Sequence, residues 1–165
     1  MAIDCLICPR QYLSAMQNGL LLCTLVMSMA HGYVKVAKNI EAEEKRATQA
    51  NEKKTLGIGD SSGPPSWGSC PFVLETNATE WKTIALRMVR AEMHGVSDSS
   101  RPCFTAMVDR LERRQREWHT NPPGAGFPDS YRITDGQPKP PCLCLLEDAK
   151  KTVVSLDPTL LDIAS

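Results

Sequence analysis

Aromatic residues are scarce in this chain: three Trp, three Tyr and three Phe among 165 residues. Aliphatic side chains must therefore carry most of any core. Neither sign of charge is in excess, since Lys plus Arg and Asp plus Glu are 19 each. That balance excludes a global field that would gather nucleic acid or an anionic membrane. The three histidines (His31, His94 and His119) are scattered, and no Cys–His pair stands at metal-ligand spacing. HExxH, GxSxG, P-loop and GxGxxG motifs are all missing. No carboxylate sits in an apolar context that would raise its pKa for acid–base work. A metal site, a cofactor and an enzymatic activity are accordingly not expected. Cys5-Leu-Ile-Cys8 has the spacing of half a zinc site, but no second CxxC completes it.

What is present begins with one apolar stretch. Leu20 to Met27 is broken only by Thr24 and Cys23, and Ser28, Met29 and Ala30 follow. This core falls short of the about 20 apolar residues that a bilayer span needs. Small residues at Ser28 and Ala30 match a signal-peptide cleavage pattern with the cut after Ala30. Residues 1–30 therefore read as a signal peptide, and a secreted, extracellular location with no stable membrane insertion is expected. The preceding segment lacks net positive charge, since Asp4 offsets Arg10. The competing reading is a buried helix of a cytosolic domain. With residues 1–30 removed, four cysteines remain: Cys70, Cys103, Cys142 and Cys144. An even number in a small exported chain predicts two disulfides. Cys142 and Cys144 are too close to bond to each other comfortably. Each is expected to reach back to Cys70 or Cys103, and the sequence leaves the pairing open.

The remaining chain, about 135 residues, suffices for one core-forming domain. Residues 31–69 form an N-terminal segment, helical and then flexible. Val34 to Lys54 is rich in Ala, Glu and Lys and free of Gly and Pro, which predicts a helix, with Glu41–Lys45 as a favourable pair. Leu56 to Ser69 reads as a Gly/Ser/Pro linker, with Trp67 as its unusual member.

Residues 70–165 form the disulfide-linked helical domain. Asn77 with Glu80 has capping-box spacing, the helix runs from Trp81 to His94, and Gly95 suits its C-terminal cap. Trp81, Ile84, Ala85, Met88 and Ala91 make its apolar stripe, widened by Leu86, Val89 and Met93. Asn77-Ala-Thr79 is also a glycosylation sequon. A second helix spans Cys103 to His119, capped by Ser99 or Ser100. Phe104, Met107, Val108, Leu111 and Trp118 face inward, and Asp109–Arg113 and Glu112–Arg116 pair outside. A short turn makes the two helices an antiparallel hairpin. Residues 121–141 hold six of the twelve prolines and form an extended crossover, with a short strand and turn at 131–136. A last helix runs from Cys142 to about Val154. Asp157 and Pro158 then open a terminal turn.

The fold class that follows is mainly α: a small bundle-like domain of three to four helices with a Pro-rich crossover and disulfides. In architecture this layout resembles the small secreted helical cytokines and hormones, without matching a motif of any one family. The resemblance implies a secreted signalling protein that binds a cell-surface receptor or another extracellular protein. Its contact surface would be Arg110, Arg113, Arg114 and Glu117, with Trp67. One alternative is a peptide-hormone precursor cut at dibasic sites such as Lys45-Arg46 or Arg113-Arg114. Another is an intracellular, non-enzymatic interaction protein that keeps residues 1–30 and all seven thiols.

Overall fold

The computed structural model describes residues 11–58, 72–96, 102–134 and 136–156. One helix, α1 (Tyr12–Gln49, 38 residues), organises the rest. At 1.5 Å per residue it is about 57 Å long. The apolar stretch and the charged helix expected from residue 34 onward are one continuous element. The helix continues through residue 30, where Ala30 is fully buried. The buried positions of α1 are Ala15, Gly19, Cys23, Val26, Ala30, Ala37, Ile40 and Ala47. Their spacings of three, four and seven place them on one face of a 3.6-residue helix. Most are small, so neighbouring helices approach the α1 backbone closely.

After α1 the chain forms strand β1 (Lys54–Ile58), which pairs antiparallel with β2 (Phe72–Thr76), Lys54 opposite Thr76 and Ile58 opposite Phe72. The expected linker from Leu56 onward therefore contributes its first residues to a strand. Cross-strand pairing is a non-local gain that outweighs the turn-like composition. β2 leads directly into Asn77. Its Oδ1 accepts from the Glu80 amide at 2.8 Å, and Glu80 accepts back from the Asn77 amide at 3.4 Å, completing the expected capping box. Helix α2 (Ala78–His94) follows, ending at Gly95 with φ of +80°, a conformation that glycine favours. Leu86, Val89 and Met93 form its buried edge, whereas Met88 is 60% exposed and is no core filler.

Helix α3 (Phe104–Thr120) starts from Cys103; the serines expected to cap it lie outside the described residues. Its buried side is Phe104, Val108, Leu111, Gln115 and His119. The crossover is irregular apart from a single 3-10 turn, Asp129–Tyr131, where a short strand was expected. The Ile133 amide donates to the His119 carbonyl at 3.1 Å and ties the crossover to the end of α3. Helix α4 (Pro141–Val154) opens with proline in its first turn, where the missing N–H costs no helical bond. α2, α3 and α4 all pack against α1, α4 and α2 most extensively. The expectation of a mainly helical domain with three to four helices holds, with four α-helices among the described residues and α1 rather than the α2–α3 pair at the centre.

The expected disulfides are not seen among the described residues. Cys23, Cys103, Cys142 and Cys144 are free thiols, and Cys70 lies outside those residues. Geometry separates the cysteines. Cys103 is at the start of α3, while Cys142 touches His119 near its other end, about 24 Å away along the helix. A disulfide needs Cα atoms within about 7 Å.

Candidate ligand cavity and its thiol–imidazole pair

The polar members of α3's buried side arise from its spacing. Gln115 and His119 lie four and eight residues beyond Leu111, so both turn inward with it. Gln115 is 1% exposed and His119 5%. They reach the same place: a cavity of about 620 Å³ bounded by the first turns of α1, the C-terminal half of α3, the crossover and the start of α4. Its wall is largely apolar, with Met16, Leu20, Ile133 and Pro140 among its members. The rings of Tyr12, Phe127 and Tyr131 cluster there edge to face or tilted, with centroids 5.0–5.7 Å apart. Tyr131 also stacks on the His119 ring at 4.2 Å. Burial pushes the Tyr131 phenol up to about 12, so it stays a neutral hydroxyl.

His119 Nδ1 lies 2.6 Å from the Tyr131 carbonyl. A carbonyl only accepts, so Nδ1 carries the proton. In the neutral ring Nε2 is then an acceptor, and the Cys142 Sγ–H donates to it across 3.2 Å. Burial raises the Cys142 thiol above its ordinary value. The base is oriented by a carbonyl rather than a carboxylate, so no adjacent anion stabilises an imidazolium. Burial keeps the thiol protonated, so the pair is a thiol hydrogen-bonded to an imidazole rather than the activated ion pair of a cysteine nucleophile. On the α1 side Cys23 is pushed up to about 12, chiefly by burial and then by Cys142.

Gln115 is the least satisfied group in the cavity wall. Its Nε2 has no hydrogen-bond partner, which for a buried donor costs about 1–3 kcal/mol. The carboxamide fits there because residue 19 is glycine: a Cβ on Gly19 would lie 3.2 Å from Gln115 Nε2 and 3.3 Å from Oε1. No carboxylate lines the cavity. Lys139 lines it but is ion-paired to Glu147, and Arg132 lines it from an exposed position.

Of the residues expected at a receptor surface, Arg110, Arg113, Arg114 and Glu117 lie on α3 at spacings of three, four and seven, which is one face of the helix. Arg110 and Arg113 are exposed. Arg114 is half-buried, stacks over Trp118 at 4.5 Å, and its charge only partly offsets the burial that raises Cys23, Cys142 and Tyr131. Glu117 accepts from the Asn121 side chain at 3.1 Å. Trp67 lies outside the described residues. Glu112 pairs with Arg116 as expected, but Asp109 joins Lys150 of α4 at 2.6 Å instead of Arg113. Asn77 is exposed. Its Oδ1 serves the helix cap and leaves the sequon nitrogen outside that bond. Among the described residues no cluster of His, Cys, Asp or Glu has the makings of a metal site.

A second surface is apolar. Leu13, Leu21, Leu25, Met29 and Val36 are exposed on α1, Leu21 at 67%. By length and composition this helix holds a stretch that would cross a bilayer, and only 22% of that stretch is buried. A core helix and a leader sequence both meet that description.

Comparison with known proteins adds one likeness. The chain is similar to a fungal transcription factor. It is 26% identical over 145 residues to the transcription factor rglT from two strains of Aspergillus fumigatus. The match covers 78% of this chain and 32% of the relative, so the chain spans about a third of that protein's length. No family model matches, and no solved structure matches.

Proposed function

We propose that the chain is a non-enzymatic, intracellular interaction module of a transcriptional regulator, and that it binds a protein partner through the outer face of α1. The observation that carries this reading is the double use of α1. Its inner face supplies the core with Ala15, Gly19, Cys23, Val26 and Ala30, while Leu21, Leu25 and Met29 stay uncovered. A contiguous apolar surface of this kind suits partner binding. Free thiols at Cys23, Cys103, Cys142 and Cys144 fit a reducing compartment. The likeness to rglT supplies the regulatory context.

The rival reading, a secreted ligand for a receptor, draws on the same uncovered apolar stretch, which resembles a leader. It requires the remaining chain to fold without the first 30 residues. Intact mass of protein from lysate and medium decides between them. The interaction-module reading expects a cell-retained, unglycosylated species that includes residues 1–30 and has free thiols. A secreted species starting at His31 and carrying a glycan at Asn77 would reject it and restore the signalling-ligand reading.

A further inference from the structure

We propose that the cavity between the first turns of α1 and the crossover binds a small amphipathic anion of the fatty-acid class, an apolar tail carrying one carboxylate. This goes beyond partner binding by α1 and rests on different residues. It shares with that reading the premise that residues 1–30 stay in the folded chain, because Tyr12, Met16 and Leu20 line the cavity. At about 620 Å³ the cavity is the size of ordinary small-molecule sites, about 300–1,000 Å³. Its lining is graded from inside to outside. Gly19 and Cys142 are buried at the inner end, and Met16, Leu20 and Pro140 are half-buried along the wall. Arg132, Gln137 and Lys139 are exposed at the rim.

That gradient separates a place for a tail from a place for a head. At the inner end His119 and Cys142 hold each other, and the second His119 nitrogen holds the Tyr131 carbonyl. No cation lines that end, so a carboxylate driven into it would lose its hydration without replacement. An apolar tail loses nothing there. The rim is the reverse case. Arg132 and Lys139 line it and no carboxylate does, which disfavours a cationic ligand and leaves an uncharged one without use for either. The Arg132 guanidinium presents a fork of N–H donors that matches a carboxylate. Lys139 is paired to Glu147, but Glu147 also pairs with Lys151 at 2.9 Å. A ligand carboxylate can therefore take Lys139 without leaving Glu147 unpaired. Pro138, Pro140 and Pro141 supply no N–H, so side chains carry the recognition on this side. A head group held at the exposed rim keeps part of its water, which spares it the cost of full burial.

The test titrates the purified full chain with cis-parinaric acid, a fluorescent fatty acid, kept below its micelle concentration. Its methyl ester has the same tail without the charge. Saturable binding of one acid per chain is expected, tighter than that of the ester. The double variant Arg132→Gln with Lys139→Gln changes two exposed side chains and should keep the melting temperature. It should weaken the acid about tenfold, the combined scale of two part-exposed charge contacts, and leave the ester unchanged. Met16→Trp, which fills the space of the tail, should weaken acid and ester alike. If Met16→Trp lowers the melting temperature, Ile133→Trp on the exposed crossover wall takes its place with the same expectation. Leu25→Glu on the outer face of α1 should leave binding unaltered, which separates this site from the apolar stripe. Unsaturable binding, equal affinity for acid and ester, unchanged acid affinity in the double variant or the wall variant, or loss of binding in Leu25→Glu would each overturn the proposal. Its failure would leave partner binding by α1 standing, since that reading is decided by the mass and location of the protein in cells.

Discussion

One backbone carbonyl decides the chemistry of His119. Because Tyr131 offers an acceptor to Nδ1, Nε2 must accept, and Cys142 is held as a donor thiol. Cys103 is the opposite case. Thr105 and the first amides of α3 hold its thiol below the ordinary value, and it is part-exposed. With limiting iodoacetamide at pH 8, Cys103 should be alkylated well before Cys142 and Cys23. Peptide mapping reads the order, and early labelling of Cys142 would mean that the pair is ionised after all. The folded pKa of Cys23 is about 12 against 9.0 for the free thiol. Between those values the unfolded chain has lost a proton that the folded chain keeps. Stability is therefore intact below pH 9 and falls as pH rises toward 12, with a slope of at most about 1.4 kcal/mol per pH unit from this group. Cys23→Ala should flatten that alkaline slope in denaturant titrations at successive pH values, whatever it does to stability at pH 7. None of these partners was legible in the sequence. His119 and Cys142 are far apart along it, and an apolar template for α3 passes over Gln115 and His119 because they are polar, although both repeat the spacing of Leu111.

At the level of elements, local signals served well and non-local ones poorly. Asn77 and Glu80 announced the start of α2 and Gly95 its end, because capping is chemistry within a few residues. The β1–β2 pair went unseen because Leu56-Gly57-Ile58 becomes a strand only through its partner at 72–74. The sequon and the cap share Asn77, and two variants separate them. Asn77→Ala should cost about 1 kcal/mol of stability. Thr79→Ala removes the sequon and should leave the melting temperature nearly unchanged. Equal losses would mean that the capping box does not stabilise the helix. Across the bundle Glu112 ties α3 to α4. It accepts from Lys150 at 2.5 Å and from Arg116 at 2.6 Å. Lys150 first, and then Arg116, hold its carboxyl below the usual value of 4.5. The contribution is therefore present above pH 4.5 and lost as pH falls through the depressed folded value. Glu112→Gln should destabilise by about 1 kcal/mol at pH 7, a typical scale for a part-exposed pair. The difference from wild type should vanish in strong acid. A difference that persists there would assign the loss to packing instead.

For the molecule as a whole the question is where the fold begins. An apolar stretch beside small residues satisfies both a leader and a core helix, since both need apolar side chains within about 20 residues. Composition alone does not separate them. The periodic pattern favours a core helix: Ala15, Gly19, Cys23, Val26 and Ala30 recur on one face, and Cys23, Val26 and Ala30 share one core cluster with Leu111, Leu143 and Leu146. Deleting residues 1–30 strips these five from α1 and opens one wall of the cavity. Each large core side chain left facing solvent forfeits about 1.5–3 kcal/mol. Several such losses match the whole stability of a domain this size, about 5–15 kcal/mol. The fragment 31–165 should therefore lose the cooperative thermal transition of the full chain, followed by near-ultraviolet circular dichroism. Leu25→Glu, which changes only the outer face of α1, should keep it. If fragment 31–165 instead melts cooperatively at the temperature of the full chain, the inner face of α1 contributes no net stability before residue 31. The chain would then tolerate a cut after Ala30, and the leader reading of that stretch would gain the support that the packing of α1 now gives to the core-helix reading.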